Sequence, residues 1–217
     1  MLAPLVLPDD LAPPVVAPDA PPAGSALGQH YRRCYGCGDA APSGLRMRFT
    51  VGEGVQVISE FVVTDEHEGA AGLAHGGLLS AALDETQATL LWVLRKPAVT
   101  ARLETEYLAP VPVGSIVRIE ATCLGVADRK IFTAAEGWLV GRSGPAAATL
   151  DLTGRAMDLA VGSAERVLAL RSAALFVAVP VEHFTAFGRP DLVAASMNRG
   201  VAQAPSEAGQ PHVEVNP

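Results

Sequence analysis

The stretch His75-Gly76-Gly77-Leu78-Leu79-Ser80-Ala81-Ala82-Leu83-Asp84-Glu85-Thr86-Gln87-Ala88-Thr89-Leu90-Leu91-Trp92-Val93-Leu94 decides how this chain folds. From Gly76 to Leu94 it holds no proline, and its glycines stand only at the start. Leu78, Leu79, Leu83, Leu90, Leu91 and Val93 cover nearly all sides of the helix that this pattern predicts, and a helix apolar all round is buried. One stripe differs. Gly77, Ser80, Ala81, Asp84 and Ala88 recur at helical spacing, so small residues surround a single carboxylate. A stripe of that kind permits close approach by a ligand or a second subunit while the leucine-rich faces fill the core.

Outward from the helix the period changes to two. Val55, Val57, Phe61 and Val63 alternate with polar residues, as do Val99, Ala101, Leu103 and Tyr107, and Val117, Ile119, Ala121 and Cys123. Alternation of this sort marks strands with one face on a core. Pro110-Val111-Pro112-Val113-Gly114 reads as the connection between the last two. Leu45 to Val51, Lys130 to Val140 and Val167 to Pro180 are further strand-like runs, and Gly141 to Ser163 is compatible with strand, helix or insertion. One buried helix among antiparallel strands predicts an α+β layout in which a curved sheet wraps the helix.

The ends differ from this centre. Seven of the 17 prolines lie between Pro4 and Pro22, so residues 1–28 are expected as an extended arm. Residues 29–190 form the folded domain, and 191–217 lack apolar periodicity and are expected as a mobile tail. At 217 residues and 49% hydrophobic, the chain can bury a sizeable core. A net charge of -7 argues against nucleic-acid or anionic-membrane binding, which need a basic surface. Neither a secretory leader nor a run of ~18 apolar residues is visible, so a cytoplasmic protein is expected. In a reducing compartment Cys34, Cys37 and Cys123 stay thiols.

Chemistry concentrates at the helix. Two glycines at its start each cost about 1 kcal/mol against alanine within a helix. They either make a tight strand-to-helix turn or let a ligand reach first-turn N–H groups that have no intrahelical partner. A carbonyl oxygen gaining charge is stabilised there. Asp84, in an otherwise apolar helix, needs a partner or a function; it either caps a neighbouring loop or acts on a ligand. His75 either binds or protonates a leaving group or caps the helix. Thr100 is a candidate for positioning water. Glu85 points about 100° away from Asp84, and solvent or a basic partner accounts for it. Cys34-Tyr35-Gly36-Cys37-Gly38 has the spacing of half a zinc ribbon, and His30 offers a third ligand. No second Cys-x-x-Cys follows, so a glycine-rich turn with buried thiols is expected and no metal. Arg129-Lys130, after the turn Gly125-Val126-Ala127-Asp128, is a candidate phosphate clamp or a solvated turn.

Taken together, the sequence resembles the phenylacetate-degradation (PaaI-type) branch of the hot-dog acyl-CoA thioesterases. The matching pieces are Cys34 to Gly38 with Pro42-Ser43-Gly44-Leu45, His67 to Gly77, Asp84, Val99-Thr100-Ala101, Tyr107 with Pro110 and Gly114, and Phe176-Val177 with His183-Phe184. The resemblance implies a hot-dog fold and hydrolysis of an acyl-CoA thioester without a cofactor. It implies that His75 and Gly76 occupy the position whose backbone N–H polarises the thioester carbonyl. Asp84 then activates water or attacks directly, and Thr100 helps hold that water. In the family the amide and the carboxylate of one site come from different subunits, which implies a homodimer or a dimer of dimers. The Asn or Gln that several relatives carry before His-Gly-Gly has no counterpart here, where His67, Glu68 and Gly69 stand.

For CoA, a polyanion, the net negative charge leaves recruitment to local cations: Arg129 and Lys130 first, then Arg102, which alternation puts on the strand face of Thr100, with Gly77 lining the approach. The other class considered is a non-catalytic acyl-CoA-binding or oligomerisation module on the same fold. A binder has no need of a carboxylate beside a polarised carbonyl, so Asp84 favours the enzyme.

Overall fold

The computed structural model describes residues 4–142, 149–150, 156–157 and 166–193. Helix α1 runs from Gly76 to Leu94, the stretch with which the sequence reading began. Its leucines go where their pattern directs: Leu78, Leu79, Ala82, Leu83, Leu90, Leu91, Val93 and Leu94 are buried. The stripe Gly77, Ser80, Ala81, Asp84 and Ala88 is not, so the helix is open along one side rather than enclosed all round.

The sheet that receives α1 has seven strands in the order β1-β2-β3-β7-β8-β11-β6. They are β1 (Ala26–Leu27), β2 (Arg48–Val51), β3 (Gln56–Val62), β6 (Ala98–Tyr107), β7 (Ser115–Ala127), β8 (Lys130–Arg142) and β11 (Val167–Ala178). Every neighbouring pair is antiparallel. Alternation delivers the core: Val57 and Phe61 of β3, Val117, Ile119 and Ala121 of β7, Leu139 of β8, and Ala174 and Phe176 of β11 are at most 4% exposed. The curved antiparallel sheet with one long helix packed on it is the hot-dog fold expected above.

The 141–163 region is a continuation of β8 through Arg142 and a small antiparallel pair, β9 (Thr149–Leu150) with β10 (Ala156–Met157). Its remaining residues, like most of the expected tail, lie outside the described ones. Before α1, β4 (Glu68–Ala70) and β5 (Leu73–Ala74) form a tight hairpin that aims the chain into the helix. A short second helix, α2 (Val181–Phe187), follows β11 and has no counterpart in the sequence reading.

Several polar side chains that alternation turns inward are satisfied by the helix. The Ser59 and Thr86 hydroxyls are 2.7 Å apart, and Gln87 donates to Ser172 Oγ at 3.0 Å while accepting from Thr133 at 2.7 Å. These contacts tie α1 to β3, β8 and β11 through groups that have no access to water. The N-terminal arm lies against the domain: Ala12 pairs with Val126, the Ala17 N–H donates to Val93 O at 3.0 Å, and Asp19 pairs with Arg95 at 3.1 Å. Among the described residues no helix is long and apolar enough to cross a membrane.

Candidate active site

The start of α1 is built by its own cap. His75 is extended (φ -69°, ψ 130°), and its Nδ1 accepts the Gly77 N–H at 2.9 Å. Its backbone N–H donates to His67 O at 2.9 Å, which anchors the turn to a buried residue. Of the two readings open for His75, the structure supports the cap. The same bond occupies the Gly77 amide and leaves the Gly76 N–H, among the described residues, without an acceptor. Tyr107 closes the other side: its hydroxyl donates to Gly76 O at 2.8 Å and lies 2.7 Å from Ser80 Oγ. A Cβ at Gly76 meets only the Tyr107 ring, at 3.4 Å, so packing tolerates a side chain there. Gly69 is different: a Cβ there falls 2.6 Å from His75 Cα, so glycine is what lets the β4–β5 hairpin approach the cap. A cleft of about 330 Å³ opens beside the helix start, lined by Tyr35, Glu66, His67, Glu68, His75, Gly77 and Leu78.

Two turns further along, Thr100 of β6 donates to Asp84 Oδ1 at 2.8 Å. Burial raises the Asp84 pKa; the Thr100 hydrogen bond opposes this and the charge of Glu85 adds to it. A carboxylate with a raised pKa and one fixed hydroxyl partner is suited to accept a proton from water. Asp84 does not line the cleft at the helix start. Eight residues at ~1.5 Å each put it about 12 Å from Gly76 along the axis, and first-turn N–H groups point away from the helix body. A carbonyl bound by the Gly76 amide of one chain is therefore out of reach of that chain's Asp84.

The basic candidates lie elsewhere on the sheet. Arg129 and Lys130 are exposed at the β7–β8 turn, where Asp128 takes φ 52° and the Ala178 N–H donates to Arg129 O at 2.8 Å. Val177 pairs with Lys130 on one side and Val99 on the other, so this turn and Thr100 share one end of the sheet, two strand spacings or ~10 Å apart. Arg102 follows Thr100 on the same strand and pairs with Glu104 at 2.6 Å. Two residues carry contacts that sequence reading did not assign. Tyr107 appeared as a strand position and as one piece of the family resemblance, with no contact assigned; its tie to the helix start depends on a fold-level crossing. Glu85 has the basic partner expected as one of its two readings, and that partner is His30: its carboxylate sits 3.3 Å from His30 Nδ1 and 3.5 Å from Cys34 Sγ.

Comparison with known proteins bears on the same region. Residues 71–145 match the family model described as the thioesterase superfamily. Over 69 residues the chain is 32% identical to the acyl-coenzyme A thioesterase THEM4 of Xenopus laevis, covering 32% of this chain and 31% of that protein. The chain thus aligns with about a third of that relative's length. Among solved structures, the thioesterase superfamily protein RHA08564 superposes with a TM-score of 0.52 at 20% identity, over 70% of this chain and 69% of that one. At that identity the likeness is one of fold. The Escherichia coli PaaI protein from the phenylacetic acid degradation operon superposes at 0.48 with 13% identity, over 65% and 86% of the two chains, which does not assign the branch.

Proposed function

We propose that this chain, whose fold is that of the hot-dog thioesterases, hydrolyses an acyl-CoA thioester to the free acid and CoA. The observation that carries the reading is the single open stripe of α1, with an untaken amide at one end and a carboxylate held by a threonine at the other. In the reaction the Gly76 N–H donates to the thioester oxygen as it gains charge. Asp84 takes a proton from the attacking water, or attacks the carbonyl itself, while Thr100 fixes the carboxylate. The ~12 Å between these groups supports a site completed by a second copy of the chain, with the amide from one and the carboxylate from the other. The exposed edge strand β6 and the small residues of the stripe suit such a contact. Matches within the thioesterase superfamily support the reaction class, and the PaaI-type branch remains part of the proposal on the motifs His67 to Gly77 and Asp84.

The test is a steady-state screen over short, medium, long and aryl acyl-CoAs, following the released thiol, with Asp84→Asn alongside. The amide is nearly isosteric but is neither base nor nucleophile, so kcat falls at least ~100-fold with the melting temperature little changed. Near wild-type turnover in that variant removes Asp84 from the chemistry.

A further inference from the structure

We propose that His30, Cys34, Cys37 and Glu85 form a tetrahedral zinc site that fastens the Cys34–Gly38 turn to helix α1. The sequence stops at three ligands and therefore expects no metal; the fold supplies the fourth from 51 positions beyond Cys34. The His30 nitrogen, both cysteine sulfurs and a Glu85 carboxylate oxygen all lie within 4.8 Å of one another.

Two of the separations match those a metal imposes on its ligands, and a third is somewhat shorter. With Zn–S near 2.3 Å and Zn–N or Zn–O near 2.05 Å, tetrahedral edges come to about 3.5 Å for S···N or S···O and about 3.3 Å for N···O. Here Cys37 Sγ to His30 Nδ1 is 3.1 Å, Cys34 Sγ to Glu85 Oε1 is 3.5 Å, and His30 Nδ1 to Glu85 Oε1 is 3.3 Å. The donor set of two sulfurs, an imidazole and one carboxylate is borderline-soft; it suits zinc and excludes calcium or magnesium, which take oxygen.

The backbone is shaped for the purpose. The Gly38 N–H donates to Cys34 O at 2.9 Å, Leu45 N–H to Tyr35 O at 2.8 Å and Met47 N–H to Gly36 O at 2.9 Å, which closes the turn and ties it to the chain that leads into β2. A Cβ at Gly36 stands 2.5 Å from Glu85 Cγ, and one at Gly38 stands 2.4 Å from Arg32 O. Both glycines of the motif are thus required by closeness, one to the carboxylate and one to the turn itself.

All four positions come from protein, so the site is closed and structural rather than reactive. It stands apart from Asp84, which is next in sequence to Glu85 but turned about 100° away. It is also independent of the thioester reading.

The test is metal content by mass spectrometry on the reduced full-length chain, with about one zinc per chain expected. Cys34→Ser, Cys37→Ser and Glu85→Gln each lose most of it, and Cys123→Ser retains it. Because a variant can fail by misfolding, wild-type chain stripped by a chelator is also titrated with cobalt(II). A thiolate-to-cobalt charge-transfer band and intense visible bands of a tetrahedral ion, saturating at one equivalent, are expected. Zinc near background with no cobalt–thiolate band, a Cys34–Cys37 disulfide persisting under reduction, full zinc in Glu85→Gln, or loss in Cys123→Ser each overturns the assignment.

Discussion

At the scale of single residues, the account turns on which amide at the start of α1 is available. Gly77 donates to its own cap, and Gly76 does not. Gly76→Pro separates that donor from the helix it belongs to. Proline is favoured at the first helical position, where its missing N–H breaks no helical bond, and His75 already holds the extended backbone that a following proline requires. The Gly76 carbonyl that receives Tyr107 is retained. Steady-state assay is expected to show kcat lowered by about 10²–10³, with circular dichroism and melting temperature close to wild type. Unchanged turnover in a folded Gly76→Pro chain removes the amide from the reaction. The residue pattern alone offered the glycine pair and Asp84 as candidates, since a carboxylate and two glycines break the rules of a buried helix. It did not assign the Gly77 amide to His75 or Thr100 to Asp84, because each bond depends on a rotamer or a neighbouring strand.

Among elements, α1 and the strands were the most legible part of the sequence, because their periods of 3.6 and two are imposed by burial on a core. The helix limits Gly76 and Leu94 are those of the pattern, β3, β6 and β7 fall on the alternating runs, and β8 and β11 on the further strand-like ones. What joins the elements was less legible. Gln87 occupies a position that the helix pattern leaves polar, yet it is fully buried and bonded to Ser172 and Thr133. Gln87→Ala strands both hydroxyls and opens a cavity, so denaturant unfolding is expected to give a loss of about 3 kcal/mol with a lesser effect on KM. A change below ~1 kcal/mol means the network contributes little. The β7–β8 turn makes a separate claim. Neutralising Arg129 and Lys130 together is expected to raise KM for acyl-CoA about tenfold with kcat nearly constant, since remote phosphate contacts hold ground and transition states alike. The loss shrinks with an acyl-pantetheine substrate, and an equal loss on both substrates assigns the pair to the fold.

For the whole molecule, composition allowed a sizeable core and the two periodicities gave the wrapped layout, while the expectation of a site shared between subunits came from the family resemblance. The proposal of sites shared between copies of the chain rests on an open stripe on α1, an edge strand β6 beside it and a ~12 Å gap between the Gly76 amide and Asp84. The Cys34–Gly38 turn shows what spacing along the chain leaves out at this scale: Glu85 lies on the central helix, and only folding brings its carboxylate to 3.5 Å from Cys34 Sγ. The measurement that tests shared sites most directly is subunit complementation. Chains of Asp84→Asn and Gly76→Pro, each nearly inactive, are unfolded, mixed in equal amounts and refolded, with mixed assemblies verified by native mass spectrometry. Random pairing gives mixed dimers in half the population, each with one intact site, so acyl-CoA hydrolysis recovers to about a quarter of wild type. Mixed dimers with no activity above either variant alone contradict the shared site.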